Sequence, residues 1–234
     1  MHTRLRNPPW HEMVREQGFG IIHDVLASED TQSLAENLHH AALRRSRAGV
    51  RHALEYPPVA ALARDSRLVS LATGILGGSA FPYRATIFDK LPEANWLVVW
   101  HQDTALPLQE RREIPGWGPW SLKEGVIYAH APANALDRVV ALRVHLDDST
   151  SKNGPLRVLP GTHMAGVLTD DDIQRLTSQI SPVDCLVAEG GVVVMRPLIV
   201  HASSKSTSTA PRRVIHIEYA VSALLEDGLQ LAVA

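Results

Sequence analysis

This chain of 234 residues has one cysteine and a small net charge. The single cysteine, Cys185, excludes a disulfide within one chain and is typical of a reducing compartment. The formal net charge of −2 at pH 7 gives no global field that would attract nucleic acid or an anionic membrane. We therefore expect a small-molecule ligand, and neither a nucleic-acid partner nor a membrane partner.

Long hydrophobic runs are also lacking. The longest, residues 190–200, is interrupted by Arg196 and Pro197 and falls far short of the ~20 residues that a membrane helix needs. Residues 1–10 are polar and have no apolar segment of the kind found in secretory signals. These features favour a cytoplasmic protein, which we expect to be a monomer or a homodimer.

The two parts of the chain carry different patterns. Up to about residue 80, the apolar spacing is mostly helical and includes one strand. Beyond that point, short runs rich in Val, Ile and Leu alternate with Gly, Pro, Asn and Asp, which is typical of strands. Helices first and strands later predict one α+β domain or a helix-decorated β-barrel, rather than a parallel sheet. The predicted helices are 9–17, 28–46, 58–64 and 67–76, and the predicted strands are 19–25, 81–90, 95–100, 139–146, 156–159, 185–188, 191–195, 198–202 and 214–221.

Residues 104–137 fit neither pattern. A structureless segment of this length is uncommon in a compact domain and is often a lid or a binding loop. The alternative is an ordinary surface excursion, packed by Trp117 and Trp120. Under the lid hypothesis, Trp117, Trp120 and Lys123 would form a wall of the substrate site. The segment's cations, which hint at an anionic substrate, are Arg111, Arg112 and Lys123.

A metal site is indicated by His101 and Asp103, which are separated by one residue at the end of a predicted strand. Residues i and i+2 of a strand share a face, so both side chains can reach one ion. Because His-x-Asp often arises by chance, a third ligand is needed, and His201 at the end of another β-rich run is the best candidate. Two histidines and one carboxylate on one face of an ion leave other positions open, as non-haem Fe(II) oxygenases require.

A pair of arginines lies eleven and twelve residues beyond His201. A guanidinium can bind a carboxylate through two parallel hydrogen bonds. The co-substrate 2-oxoglutarate chelates iron with its keto-acid end and needs a cation for its far carboxylate. Arg212 and Arg213 point to opposite faces of a strand, so only one of them can face inward, and periodicity does not say which.

Four groups of residues, taken together in their order and spacing, resemble the phytanoyl-CoA dioxygenase family of Fe(II)/2-oxoglutarate oxygenases. The resemblance spans roughly residues 81–219, and the upstream helices are compatible with it. One departure is Ala202, where many members have glycine. The groups are Trp100-His101-Gln102-Asp103; Asn153-Gly154-Pro155-Leu156 followed by Pro160-Gly161-Thr162-His163; His201-Ala202-Ser203; and Pro211-Arg212.

The resemblance implies a hydroxylase that uses Fe(II), 2-oxoglutarate and O₂. Its iron ligands would be His101, Asp103 and His201, and its 2-oxoglutarate contacts would be Arg212, rather than Arg213, and Ser203. Because halogenating relatives replace the carboxylate ligand with a small residue, Asp103 favours hydroxylation. The implied fold is mainly β: a double-stranded β-helix (a jelly roll, cupin-like) over about 81–222, with N-terminal helices from about 1–80 packed on one sheet, in a single domain spanning 1–234.

Two further questions stay open at this level. Arg143 and His145 alternate with apolar residues, so they face either solvent or the interior of the barrel near the substrate. His216 and Glu218 raise the same question, because they share a strand face with Arg212. The alternative functions are a cupin-like metal-binding isomerase and a non-catalytic small-molecule-binding protein, neither of which needs an arginine for a co-substrate carboxylate.

Overall fold

The computed structural model describes residues 9–41, 43, 49–90, 95–225 and 228–233. Within these ranges the helices are α1 (Trp10–Gln17), α2 (Ser28–His40), α3 (Pro57–Ala63), α4 (Ser66–Leu76), α5 (Ala133–Leu136) and α6 (Asp170–Gln179). The strands are β1 (Phe19–Ile22), β2 (Phe81–Lys90), β3 (Val98–His101), β4 (Ala105–Leu108), β5 (Trp120–Lys123), β6 (Val126–His130), β7 (Val139–His145), β8 (Leu156–Val158), β9 (Val183–Cys185), β10 (Val192–Met195), β11 (His201–Ser203) and β12 (Arg212–Ala220).

Two antiparallel sheets form the centre of the molecule. One has the strand order β1-β10-β7-β12-β2, and the other has the order β3-β11-β8-β9. Strands that are distant in sequence pair within each sheet, as in a double-stranded β-helix, so the predicted jelly roll is confirmed. None of the described helices is long and apolar enough to cross a membrane.

The N-terminal helices cover the outer face of the five-stranded sheet. Successive strand residues point to opposite faces, so β7 directs Val140, Leu142 and Val144 toward the helices. Leu34 of α2 and Leu68 of α4 pack in the same buried cluster. Burial of this apolar layer stabilises the sheet and fixes which face of each strand is left for the barrel interior.

The inner face of the same sheet carries polar side chains on β7 and β12. Arg143, His145, His216 and Glu218 are all buried there, with relative exposures of at most 6%. The open question is therefore answered: these residues face the barrel interior and not solvent. Buried charges at such positions are costly without partners or ligands, which points to the interior as the functional region.

The expectation of a structureless segment over 104–137 is wrong. The segment contains α5 and a three-stranded antiparallel sheet in the order β4-β6-β5. Leu106 and Leu108 alternate along β4 and pack with Trp117 in a buried cluster. Burial of these side chains offsets the conformational entropy that is lost when the segment is ordered. Whether it moves as a lid stays a prediction.

Several predicted boundaries also need correction. The helix predicted over 28–46 ends at His40, and residues 42 and 44–48 lie outside the described ranges. The strand predicted over 198–202 begins only at His201, as β11, because a turn follows Pro197. The patterns missed α6, whose start is a capping box between Thr169 and Asp172.

Candidate active site

Two strands of the four-stranded sheet bring the predicted metal ligands together. His101 ends β3, and His201 begins β11 directly opposite it in the register. Asp103 lies two residues beyond β3, with its carboxylate oxygens 3.7 Å from Nε2 of His101 and 3.5 Å from Nε2 of His201. Three ligand atoms that lie within 4.8 Å of one another can hold one metal ion.

Both histidines are oriented by the same local contact. Nδ1 of His101 lies 2.8 Å from the carbonyl oxygen of Val99, and Nδ1 of His201 lies 2.9 Å from that of Ile199. A carbonyl oxygen only accepts, so each Nδ1 carries the proton and donates it. This leaves the Nε2 lone pair of each ring free for a metal, in the way that outer contacts of metal-binding histidines usually do.

The charge states of Asp103 and His201 suit a metal. Burial opposes ionisation of Asp103, but the neighbouring rings of His201 and His101, the latter through a side-chain hydrogen bond, hold its pKa well below the ordinary value. Asp103 in turn raises the pKa of His101 despite burial, so a metal competes with a proton at that ring. Burial lowers the pKa of His201 to about 4. An ionised carboxylate and a neutral imidazole are the forms that bind metal, so no proton must leave Asp103 or His201 at neutral pH.

Neighbouring motifs hold the two ligand strands in place. Nε2 of Gln102 donates to the carbonyl oxygens of Leu198 (2.7 Å) and Gly166 (2.9 Å). The hydroxyl of Thr162 donates to the carbonyl of Leu159 and accepts from the backbone N–H of Val200, one residue before His201. These bonds give both polar side chains a structural role next to the predicted metal ligands.

A cavity of about 400 Å³ opens beside the three ligands. Arg212 lies in its wall, is 2% exposed, and has no hydrogen-bond partner at Nε or Nη1 among the described residues. Arg213, by contrast, points the other way and donates to both carboxylate oxygens of Asp147 at 2.6 and 2.8 Å. Of the two candidates, only Arg212 therefore offers free donors toward the metal-binding residues.

Ser203 lies in the same wall and is held from both sides. Its hydroxyl donates to the carbonyl of Gly154 at 2.8 Å and accepts from Nζ of Lys90 at 2.7 Å. Gly154 has φ +65°, and a Cβ there would meet the Ser204 carbonyl oxygen at 2.3 Å, so this position requires glycine. Lys90 also donates to the Ser204 carbonyl.

Cations accumulate in this wall without counter-ions. Lys90, Arg143 and Arg212 all line the cavity, and no described acidic side chain forms an ion pair with any of them. Burial, followed by the charge of the neighbouring Arg143, lowers the pKa of Arg212 to about 9. Burial, Arg212 and Arg143 together lower the pKa of Lys90 to about 7. Such a cluster of buried like charges lowers the stability of the protein when no anion is bound, and it favours the binding of an anion.

Comparison with known proteins agrees with this geometry. The sequence profile described as phytanoyl-CoA dioxygenase (PhyH) matches residues 14–214. The chain belongs to the phytanoyl-CoA dioxygenase family. It is 28% identical over 186 residues to the L-proline trans-4-hydroxylase of Streptomyces griseoviridis, a match that covers 68% of this chain and 62% of the relative's length.

Solved structures share the fold of this chain. AviO1 from Streptomyces viridochromogenes Tue57 has a TM-score of 0.67 and 24% identity, with 94% of this chain and 96% of that chain covered. EctD from S. alaskensis, solved with 2-oxoglutarate and 5-hydroxyectoine, has a TM-score of 0.70 and 18% identity, with coverages of 94% and 78%. At these identities the likeness concerns the fold.

The donor set fits the metal and the co-substrate of the dioxygenase family. Two imidazole nitrogens and one carboxylate form a facial triad, and an iron ion so held keeps positions for other ligands. The orphaned donors of Arg212, buried at the wall of the adjoining cavity, fit the far carboxylate of a bound dicarboxylate.

A second, smaller cavity of about 260 Å³ shares Asp103 and Phe88 with the first. Its wall holds two ion-paired arginines: Arg84, paired with buried Glu218, and Arg51, paired with Glu124 at 3.0 Å. The remaining residues around it are His52, Thr86, Gln102, Thr104, Ala105, Lys123, Tyr128 and His130.

The side chains predicted to touch substrate are distributed unevenly. Lys123 lines the smaller cavity and Arg143 lines the larger one. His145 is fully buried and lies outside both linings, as does Trp117, which packs in the cluster beneath the β4-β6-β5 sheet. Trp120 packs at the edge of that cluster. Any role of these residues in substrate binding stays a prediction.

Sequence patterns missed several cavity residues. Lys90, Thr86 and Arg84 lie on the inner face of β2, where alternation with buried Ala85 and Ile87 could have indicated a two-faced strand. Arg111 pairs with Glu113, and Arg112 with Glu110, both at exposed positions. These two ion-paired arginines therefore do not support the expectation of an anionic substrate. Of the three cations on which it rested, Lys123 remains.

Proposed function

We propose that this protein is an Fe(II)- and 2-oxoglutarate-dependent dioxygenase that hydroxylates a C–H bond of a small molecule. The observation that carries the proposal is Arg212, which is buried, without an acidic partner, and in the same cavity wall as His101, Asp103 and His201. A metal-binding isomerase or a passive binding protein on the same barrel has no use for this cation. Membership of the phytanoyl-CoA dioxygenase family supports the same reading.

In this proposal the larger cavity holds 2-oxoglutarate. His101, Asp103 and His201 hold Fe(II), Arg212 binds the far carboxylate through two hydrogen bonds, and Lys90 adds a second positive charge beside Ser203. When bound, the iron and 2-oxoglutarate supply the oxidising chemistry with O₂. One oxygen atom ends in succinate, the other in the new hydroxyl group of the product, and CO₂ leaves.

The protein's own part is positioning. His201 is 4% exposed, and the buried inner face of β7 and β12 closes the base of the cavity. This burial fixes the orientation of His201, whereas the side chains of His101 and Asp103, 37% and 31% exposed, face the cavity opening. No described side chain is assigned as a general acid or base, because iron and 2-oxoglutarate, when bound, would supply the chemistry that breaks the C–H bond.

The first test is turnover coupled to 2-oxoglutarate. Anaerobically purified protein is loaded with Fe(II), given 2-oxoglutarate and O₂, and assayed for succinate with and without L-proline, since proline is the substrate named for the hydroxylase relative. Succinate formation that requires Fe(II) and 2-oxoglutarate supports the proposal. Failure of the Fe(II)-loaded protein to bind 2-oxoglutarate in calorimetry would contradict it, whichever substrate is supplied.

The expected cytoplasmic location and the monomeric or homodimeric state remain predictions. Size-exclusion chromatography with light scattering would decide the latter.

A further inference from the structure

We propose that the smaller cavity is the substrate site, and that it selects a small molecule with a single carboxylate, which Lys123 binds at the end of the cavity away from the metal. This inference rests on the proposed function. The smaller cavity shares only Asp103 and Phe88 with the larger one, so a molecule in it reaches the metal-binding carboxylate without competing for the wall that holds Arg212.

The size and polarity of the cavity set the class of molecule. Its volume of about 260 Å³ lies below the roughly 300–1,000 Å³ of sites for drug-sized ligands. Most of its lining residues carry polar or charged groups, with Phe88 and Ala105 as apolar exceptions beside the ring of Tyr128. A compact, polar metabolite fits such a site better than a long acyl chain.

The charges of the wall specify the sign of the ligand. Arg84 is neutralised by Glu218 and Arg51 by Glu124. The third cation, Lys123, has no ion pair with any described acidic side chain. Asp103 is the remaining acidic group in the wall, and a bound metal would take up its charge. One uncompensated positive charge therefore remains, which matches a monoanion such as a carboxylate better than a phosphate dianion.

The sheet β4-β6-β5 determines where this charge lies. Lys123 pairs with Val126 at one end of β6, and Ala105, two residues after Asp103, pairs with His130 at the other end. Four residues of strand separate those ends by about 13 Å at ~3.3 Å per residue. Nζ of Lys123 lies 5.1 Å from the centre of the Tyr128 ring, so the side chain leans from the strand end back over the cavity.

This arrangement orients the substrate. With its carboxylate at Lys123, a molecule that fills the cavity presents its opposite end to Asp103 and the metal. The carbon that is oxidised should thus be remote from the carboxylate, and not adjacent to it. The hydroxyl of Thr104, 2.7 Å from Nδ1 of His130, lies beside Asp103 and offers a polar contact at that end.

The test uses matched pairs of probes: the common L-amino acids, the corresponding 2-hydroxy acids, and the primary amide of each. The Fe(II)-loaded protein is assayed for succinate formed above the substrate-free rate, and KM and kcat are determined for the best probe. The variants are Lys123→Met, Lys123→Arg and, as a matched control, Lys152→Met, which removes an exposed lysine that lines neither cavity.

We expect carboxylates to stimulate succinate formation and their amides not to do so. Lys123→Met should raise KM about tenfold with a smaller change in kcat, the size of effect expected for one hydrogen bond between charged groups. Lys123→Arg should largely restore KM, and Lys152→Met should leave it unchanged. Because Lys123 is exposed, these variants should fold normally, which a thermal melt checks.

Three results would overturn the inference: amides that act as well as acids, an unchanged KM in Lys123→Met, or no stimulation and no calorimetric binding by any carboxylate while 2-oxoglutarate still binds. Failure of 2-oxoglutarate itself to bind is a different result. It would contradict the proposed function, and the inference would fall with it.

Discussion

The larger and the smaller cavity meet at Asp103 and Phe88, but they differ in how many of the cations in their walls have an acidic partner. In the larger cavity, Arg212 and Lys90 are buried and have no acidic partner among the described residues. In the smaller cavity, the arginines are neutralised by glutamates and only the exposed Lys123 is left over. The larger wall is thus prepared for a dianion and the smaller one for at most one negative charge.

A single strand contributes to both walls. The inner face of β2 carries Arg84, Thr86, Phe88 and Lys90, and Phe88 borders both cavities. Arg84 and Lys90 are separated by six residues, or about 20 Å at ~3.3 Å per residue. Alternation along β2 thus places side chains in both cavities, which we propose to hold the co-substrate and the substrate on either side of Asp103.

The largest expected effect lies at the boundary between the cavities. Asp103→Ala removes the only carboxylate of the triad, and it should weaken Fe(II) binding strongly and abolish hydroxylation. Loss of outer contacts to a metal ligand costs about 10–100-fold in affinity, so loss of the ligand itself should exceed that range. Calorimetric Fe(II) titration measures it. Tight Fe(II) binding by Asp103→Ala would show that the two histidines suffice and would remove Asp103 from the site.

Within the smaller cavity, the largest effect should follow from breaking the buried Arg84–Glu218 pair. Burial already raises the pKa of Glu218 despite the charge of Arg84. Among the described residues, Arg84→Met leaves that carboxyl group with the Tyr83 hydroxyl, 3.2 Å away, as its one hydrogen-bond partner. The free energy of unfolding should fall by about 3 kcal/mol, as for other half-removed buried pairs. Urea denaturation measures this loss.

The double variant Arg84→Met/Glu218→Gln is the control for this pair. It removes both charges, so it should recover part of the stability that the single variant loses. If the single and double variants are equally unstable, lost packing and not an unpaired carboxyl group explains the effect.

Within the larger cavity, a smaller effect is expected at Lys90. Its replacement should reduce the affinity for 2-oxoglutarate less than the loss of Asp103 reduces the affinity for Fe(II). Lys90→Met keeps the side chain's length and should weaken 2-oxoglutarate binding at pH 7 about tenfold, as for the loss of one contact to a charged group. A melting curve verifies folding. Unchanged affinity in calorimetry would exclude Lys90 from the co-substrate wall.

The same lysine predicts a pH dependence. Burial and the neighbouring Arg212 and Arg143 lower its pKa to about 7, so at pH 8 most free protein carries a neutral Lys90. A dianion beside it favours the charged form, so binding at pH 8 should take up a proton, and affinity should fall as pH rises above about 7. Calorimetry in two buffers of different ionisation enthalpy measures this uptake, which Lys90→Met should lose. Equal heats in both buffers would contradict the prediction.

The smallest effect on function is expected outside both cavities. Trp117 is 7% exposed and packs beneath the β4-β6-β5 sheet. Trp117→Phe should lower the free energy of unfolding by about 1 kcal/mol, less than the 3–5 kcal/mol typical of truncation to alanine, and should leave KM unchanged. A raised KM without lost stability would return Trp117 to the substrate wall.

Much of the site was open to prediction because its residues sit at ends of strands with clear patterns. His101 and Asp103 follow an apolar run, and His201 follows another, so their chemistry could be inferred from spacing. The choice between Arg212 and Arg213 could not, because alternation gives two opposite faces without saying which is inner. The packing of β12 between β7 and β2 decides it, and this packing involves residues far apart in sequence.

The smaller cavity escaped prediction for a related reason. Its lining comes from the turn at Arg51, from β2, and from the β4-β6-β5 sheet, whose strands are short and contain Pro107 and charged residues. Local patterns read this segment as a loop, since the apolar contacts that order it lie in a distant cluster with Leu198 and Leu229. A site assembled from three such pieces leaves no local signature.

The most direct test of the account is anaerobic calorimetry of 2-oxoglutarate binding to the Fe(II)-loaded protein and to two neighbouring variants. Arg212→Met should weaken binding by about 100-fold, since two charge-assisted hydrogen bonds are lost. Arg213→Met, which loses only the ion pair with Asp147, should bind 2-oxoglutarate as the wild type does. Loss of binding in Arg213→Met alone, or full binding in both variants, would contradict the assignment of the larger cavity to the co-substrate.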